Sequence, residues 1–277
     1  MDRMTHATGS SDNVVHRALE PRLSGRVAIV TGAAQGLGRA FAERLLEEGC
    51  AVVVTDRDGS ITSTAETIGA TAHRGDVADA AHVRAVVDAT LATHGRIDVV
   101  VNNAGEVMAS GPRGAWEDAA RDFDRMFASN TKGAFLFGRA VAPIMIEQGG
   151  GDIVNVSTDH VVPGPGAHPR HGHGAMDLYN ASKWALNGLT FDWAIALARH
   201  HVRVNGLCPG AVDTPMLRGF LRSPPSPETV ASWMRPEQVA QVLVDLLEEG
   251  RDGRTGENIG LYAGQPCVLP APAGASS

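Results

Sequence analysis

The sequence predicts an α/β fold, a doubly wound and mostly parallel sheet with helices on both faces. Three observations carry that reading. From Arg26 onward, short β-branched apolar runs alternate with longer amphipathic segments. The runs are apolar along their whole length and do not alternate with polar residues, and the chain has 277 residues, the size of one large domain. Strands that are apolar on both faces and separated by helices belong to a parallel sheet covered on both sides. A chain of this length builds one core more readily than two.

In chain order, the strand runs are Val27–Thr31, Ala51–Thr55, Val99–Asn102, Ile153–Ser157 and Val202–Leu207. Between them, helical patterns cover Leu37–Glu48, Ala80–Thr93, Asp118–Glu147, Leu178–Arg199 and Pro236–Glu248. Two segments break the rhythm. Thr158–Asp177 holds four of the eleven histidines, three prolines and four glycines, and Thr214–Arg235 holds four prolines around the apolar stretch Met216–Leu221. Loops this long inside a compact domain serve function or move, so 159–177 reads as an insertion and 214–235 as a lid. Residues 1–24 read as a flexible extension and 265–277 as a tail, which leaves a single domain over 25–264.

Composition excludes several functions. With 24 Lys plus Arg against 31 Asp plus Glu, the formal charge is −7 and no basic run tracks a phosphate backbone, so no nucleic-acid partner is expected. No stretch approaches the ~18 consecutive apolar residues of a membrane span, and no secretory signal opens the chain. A soluble, cytoplasmic protein with no membrane partner is expected. Cys50, Cys208 and Cys267 are too few and too widely spaced for a disulfide framework or a zinc site, and are expected as buried thiols.

The first strand runs directly into Gly32-Ala33-Ala34-Gln35-Gly36-Leu37-Gly38 and a helix. Glycines there let backbone amides and the positive helix end approach a pyrophosphate. Asp56 ends the second strand, where a carboxylate accepts bonds from ribose hydroxyls and repels a 2′-phosphate. NAD is therefore favoured over NADP, although the neighbouring Arg57 suits a 2′-phosphate.

The chain has only two tyrosines, and one of them, Tyr179, stands four positions before Lys183 on a predicted helix. The two side chains share a face. A nearby ammonium favours the phenolate, so Tyr179 is a candidate general acid/base expected to titrate well below pH 10.

Taken together, the chain resembles the single-domain short-chain dehydrogenases/reductases. Thr31 to Gly38 fits that family's TGxxxGxG, Asn102-Asn103-Ala104-Gly105 its NNAG, and Tyr179 with Lys183 its YxxxK. Asp76-Val77 fits the adenine-contacting pair after strand three, Pro209-Gly210 the turn after strand six, and Pro236-Glu237-Gln238-Val239-Ala240 the late helix start. The match covers about residues 24–264. It implies a Rossmann-type sheet of seven strands, with a cofactor held by Gly32, Gln35, Gly36, Leu37, Gly38, Asp56, Arg57, Asp76, Val77, Asn103, Ala104, Gly105, Tyr179, Lys183, Pro209, Gly210, Val212 and Thr214. The expected reaction interconverts a secondary alcohol and a ketone by hydride transfer at the nicotinamide C4 of NAD. Lys183 would bind the nicotinamide ribose and lower the Tyr179 pKa, and Asn130 matches the asparagine that kinks the long helix and positions a water for proton relay. The family's dimers and tetramers imply a homo-oligomer built through its long helices and last strand.

Two departures from the family stand out. At the end of strand five the family writes Asn-x-Ser-Ser, and this chain writes Asn155-Val156-Ser157-Thr158, making Thr158 the substrate-orienting hydroxyl. Threonine keeps the donor and acceptor but adds a methyl group and stiffens χ1; Ser157 takes over only if the strand end slips by one. The 21 positions from Thr158 to Tyr179 also exceed the family's usual dozen or so. The extra residues, including His168, His171 and His173, overhang the site, and they lack the carboxylate or cysteine companions of a metal centre, so no metal is expected. Glu106, Met108, His160, Met216, Leu217 and Phe220 are the candidate substrate contacts. The rival readings are a catalytically silent dinucleotide sensor and a sugar-nucleotide epimerase or dehydratase, the latter disfavoured because no second domain fits.

Overall fold

The computed structural model describes residues 21–162 and 175–273. Seven strands form one sheet: β1 (Val27–Thr31), β2 (Ala51–Asp56), β3 (Thr71–Arg74), β4 (Val99–Asn102), β5 (Gly151–Val156), β6 (Val202–Pro209) and β7 (Asn258–Leu261). Their order is β3-β2-β1-β4-β5-β6-β7, and every neighbouring pair is parallel. The sheet is thus wholly parallel, where a mostly parallel one was expected.

The expected strand runs fall on β1, β2, β4, β5 and β6, and their residues split by parity between two cores. Val30, Val54 and Val101 face one side, with α1 (Gly36–Glu47) and α9 (Pro236–Glu248) packing Phe41, Leu45, Leu243 and Leu247 over them. Ile29, Val53 and Val100 face the other, covered by Val86 and Val87 of α3 (Ala80–His94), Phe137 and Val141 of α5 (Gly133–Gln148), and Ala194 of α6 (Asp177–Leu197). Period-two alternation with both parities apolar is the physical content of a doubly covered sheet. The order reverses between β1 and β4, which opens a crevice at the carboxyl ends of the strands, the place where such sheets bind ligands.

The structure corrects several sequence expectations. The helix expected over 118–147 is three pieces: α4 (Trp116–Phe127), one π-helical turn (Ala128–Lys132) and α5. Short helices over Ile61–Ile68 (α2), Pro215–Phe220 (α7) and Pro227–Ala231 (α8) carried too little periodicity to be read. The last two open on a proline whose missing N–H costs a first turn nothing, and they give segment 214–235, expected as a lid, a structure of its own, closed at its base by pairing of Val212 with Met234.

The boundary at residue 25 also moves. Leu23 is buried in the α1/α9 core and its N–H donates to Glu48 O at 3.0 Å, while Arg22 pairs with Glu48 at 2.8 Å and with Glu248 at 2.7 Å. At the other end, Cys267 and Leu269, expected as tail, pack against the same core, and Cys267 is half-buried where a buried thiol was expected. The three insertion histidines, His168, His171 and His173, lie outside the described residues. Among the described residues no helix is long and apolar enough to cross a membrane, and no group of three or more His, Cys, Asp and Glu stands close enough to hold a metal ion.

Candidate active site

One cleft of about 600 Å³ runs along the carboxyl ends of the strands, from Asp56 at one end to Thr158 and Tyr179 at the other. Every residue expected from the sequence to hold a cofactor lines it. The glycine turn after β1 is shaped by close approach. Gly32 has φ 66°, and a Cβ there would stand 2.7 Å from Ala104 Cα; a Cβ on Gly38 would run into the Gly32 carbonyl. The N-terminal end of α1 consequently sits against the cleft floor with its unpaired amides and positive dipole end directed at it, a cradle fitted to a pyrophosphate.

At the end of β2, Asp56 accepts hydrogen bonds from the Ala34 and Asp58 amides, both at 3.0 Å, which fixes its carboxylate beside the turn. Glu106 Oε2 accepts from Arg125 at 2.6 Å and from Arg57 at 3.4 Å. The NNAG segment is tied to β1: the Thr31 hydroxyl accepts from the Asn103 and Ala104 amides at 3.0 and 2.9 Å, and the Asn103 side chain donates to the Thr31 and Gly32 carbonyls. The residues present therefore fit a dinucleotide: an acid and a glycine turn at the adenosine and pyrophosphate end, and a hydroxyl, phenol and amine at the other.

At that second end, β5 delivers Thr158 and the first turns of α6 deliver Tyr179 and Lys183. Burial pushes the Tyr179 phenol up to about 12, ahead of the opposing pull of the nearby Thr158 hydroxyl. Burial also pushes Lys183 down to about 8; its Nζ donates to Val156 O at 2.8 Å and stands 5.8 Å from the centre of the Tyr179 ring. In the cofactor-free protein the tyrosine is therefore shifted the opposite way from the low titration expected from the sequence, because its removal from water is the largest influence on it. Ser157 also lines the cleft and is as buried as Thr158, but its hydroxyl turns toward the Lys183 carbonyl at 3.4 Å. Behind it, burial pushes the Cys208 thiol up to about 12, which keeps that sulfur unreactive.

Asn130 does not line the cleft. It stands one layer behind, buried in the π-helical turn, where its Oδ1 accepts from the Glu106 amide at 2.8 Å and its Nδ2 donates to the Glu106 carbonyl and the Ser182 hydroxyl, both at 3.0 Å. A side chain bonded into a neighbouring loop explains why the long helix opens there. Of the substrate candidates, Glu106, His160, Met216, Leu217 and Phe220 line the cleft and Met108 does not; the chain there is already heading away to pair Ser110 with Met176. His160 Nδ1 meets Asn180 Oδ1 at 3.2 Å, and its ring stands edge-on to Tyr179 at 6.3 Å. Asp159, which directly follows Thr158, also lines the cleft and was not singled out from the sequence. Its position next to Thr158 was the available signal.

A parallel sheet with a glycine-lined dinucleotide cleft that ends on a hydroxyl, a phenol and an amine defines a nicotinamide-dependent oxidoreductase. The short chain dehydrogenase family profile matches residues 26–223, and the chain belongs to the short-chain dehydrogenase/reductase family. It is 36% identical over 238 residues to the oxidoreductase UcpA of Salmonella typhimurium, covering 83% of this chain and 86% of that one. To galactitol 2-dehydrogenase of Agrobacterium fabrum it is 37% identical over 196 residues, covering 69% and 72%. Among solved structures, the 3-ketoacyl-(acyl-carrier-protein) reductase of Brucella melitensis complexed with NADH superposes with a TM-score of 0.74 at 29% identity, covering 89% of this chain and all of that one.

Proposed function

We propose that the protein interconverts a secondary alcohol and a ketone with NAD as its preferred cofactor. The observation that carries this reading is the convergence of Thr158, Tyr179 and Lys183 at one end of a cleft whose other end holds Asp56 and the glycine turn. A nicotinamide held there supplies a hydride acceptor or donor at its C4. Tyr179 takes the proton of the substrate hydroxyl during oxidation and returns it during reduction. Thr158 orients the reacting oxygen, and Asn130 holds the loop that carries Glu106. Lys183 serves the nicotinamide ribose. Asp56, anchored by two amides, supports NAD over NADP, and the engagement of Arg57 by Glu106 points the same way.

The relative named galactitol 2-dehydrogenase supports an alcohol substrate, and apolar Met216, Leu217 and Phe220 over the cleft support one with a hydrophobic part. Phe123 of α4 and Trp184, Phe191 and Ile195 of α6 are exposed apolar side chains on helices that contact each other. They support a homo-oligomer through that face, which light scattering would read.

The test is NAD⁺ reduction at mildly alkaline pH across aliphatic, cyclic, aromatic and steroid alcohols, with NADP⁺ run in parallel. Turnover abolished by Tyr179→Phe and a higher kcat/KM with NAD⁺ are expected. Tight NADH binding with no turnover on any alcohol or ketone would replace this reading with that of a dinucleotide sensor.

A further inference from the structure

Asp159 is the first residue after Thr158, and its carboxylate lines the cleft beside the proposed chemistry. Its Oδ1 lies 3.4 Å from Thr158 Oγ1, so the acid stands one hydrogen-bond step from the oxygen that Thr158 and Tyr179 would share with a substrate. The carboxylate also differs in its partners from the more deeply buried carboxylates. Glu48, Asp98, Glu106, Asp152 and Glu249 are each paired with at least one arginine. Among the described residues Asp159 has no arginine or lysine partner; the His160 Nε2 is 4.0 Å away and its other ring nitrogen meets Asn180.

Its second oxygen, Oδ2, rests against Gly210 and receives no hydrogen bond from the described residues, while the side chain keeps 23% of its surface open. A Cβ at Gly210 would collide with that oxygen, so the glycine is what allows the carboxylate to lie where it does. Burial pushes the acid up from the ordinary carboxylate range, ahead of the opposing pull of His160, the Thr158 hydroxyl and the neighbouring amides.

A carboxylate accepts and does not donate, so the group that completes Asp159 must carry a proton. In the substrate it must lie close to the reacting oxygen, and the oxygen of a vicinal hydroxyl sits about one hydrogen-bond length away. We propose that Asp159 is a specificity-determining residue and that the substrate is a vicinal diol or its hydroxyketone. The second hydroxyl donates to the Asp159 carboxylate while the apolar lid covers the remaining carbon. This inference rests on the alcohol–ketone reading above and deepens it.

The experiment compares matched pairs, isopropanol against propylene glycol and cyclohexanol against its vicinal cyclohexanediol, with NAD⁺ and the full chain. One hydrogen bond to a charged acceptor corresponds to a preference of roughly ten- to a hundredfold in kcat/KM for the diol. Asp159→Ala should bring the ratio close to one. Asp159→Asn, which keeps the shape and one acceptor oxygen, should fall between. Calorimetric binding of the same pairs to the NAD⁺-loaded protein supplies a second readout that needs no turnover. Should no alcohol turn over, the proposed reaction fails, while a diol preference in binding that Asp159→Ala removes still upholds the subsite. A diol preference that survives Asp159→Ala, no preference in the parent protein, or a stronger preference for the vicinal amino alcohol overturns the proposal.

Discussion

Replacing Asn130 by alanine tests how the long helix and the cleft floor are held together. The side chain is almost wholly buried, and it satisfies both the amide and the carbonyl of Glu106, at 2.8 and 3.0 Å. Alanine leaves two main-chain groups without partners at a site too crowded for water to replace the lost bonds freely. At about 1–3 kcal/mol for each stranded polar group, and taking the lower half because Glu106 is only half-buried, the loss is about 2–4 kcal/mol. For a domain of this size that lowers Tm by about 4–16 °C. Ser182 keeps its bond to the Tyr179 carbonyl, so α6 should survive and the protein should remain folded at 25 °C. Asn130→Asp is the sharper companion. It keeps an acceptor for the Glu106 amide but sets a carboxylate oxygen against the Glu106 carbonyl, and it should destabilise at least as much as alanine despite equal size. Differential scanning calorimetry with circular dichroism reads both. A fall in Tm below about 2 °C for both variants would refute the claim that this amide is what ties the π-helical turn to the NNAG loop.

Three further outcomes follow from the site and the sheet. Thr158→Val should cut kcat/KM by roughly a hundredfold or more whereas Ser157→Ala should change it by less than about threefold, since Thr158 is the proposed orienting hydroxyl while the Ser157 hydroxyl turns to the Lys183 carbonyl; the reverse order would move the orienting role to Ser157. Spectrophotometric titration of the cofactor-free protein should show no phenolate below pH 10, because Tyr179 is pushed up to about 12 and Tyr262 is raised as well. The folded protein then holds protons that the unfolded chain releases, so the Tyr179 contribution to stability declines as pH rises from 10 to about 12. Lys183 has the opposite sign: with its value lowered from 10.5 to about 8, the unfolded chain binds the extra proton between those limits, and its contribution to stability rises with pH there. A phenolate signal appearing near pH 8 would contradict the burial argument. Arg203→Met strands Asp152, almost wholly buried and paired with Arg203 and Arg26, and should cost about 3–5 kcal/mol by denaturant unfolding; less than about 1 kcal/mol would mean that Arg26 alone holds the acid.

The strands with the strongest β-branched runs were legible because a parallel sheet needs both faces apolar, and that requirement is written locally in Val27–Thr31, Val99–Asn102 and Val202–Leu207. Thr71–Arg74 was not legible as a run, because an edge strand with polar, half-exposed positions has no such requirement. The lid helices were hidden for a related reason: at six and five residues they are held by proline starts and by Thr214 and Ser226 caps, not by a periodic apolar face. The composition of 128–132 does not mark the break, since Ala128 to Lys132 could all sit in an ordinary helix; only the match of Asn130 to the family's helix-kinking asparagine pointed to it. What opens the turn is Asn130 reaching a loop twenty-four positions earlier in the chain.

The sequence by itself determined the doubly wound sheet, the glycine turn, Asp56, and the Tyr179/Lys183 pair, because each depends on spacing within one strand, turn or helix. Only the tertiary structure decided how these groups are solvated and what surrounds them. Burial pushes the phenol up and the amine down, Glu106 is held by Arg125 with Arg57 farther off on the same oxygen, and Asp159 comes to rest against Gly210 with no arginine partner among the described residues. Burial and partnership are sums over residues far apart in the chain, and they exist only once the strands have brought those residues together.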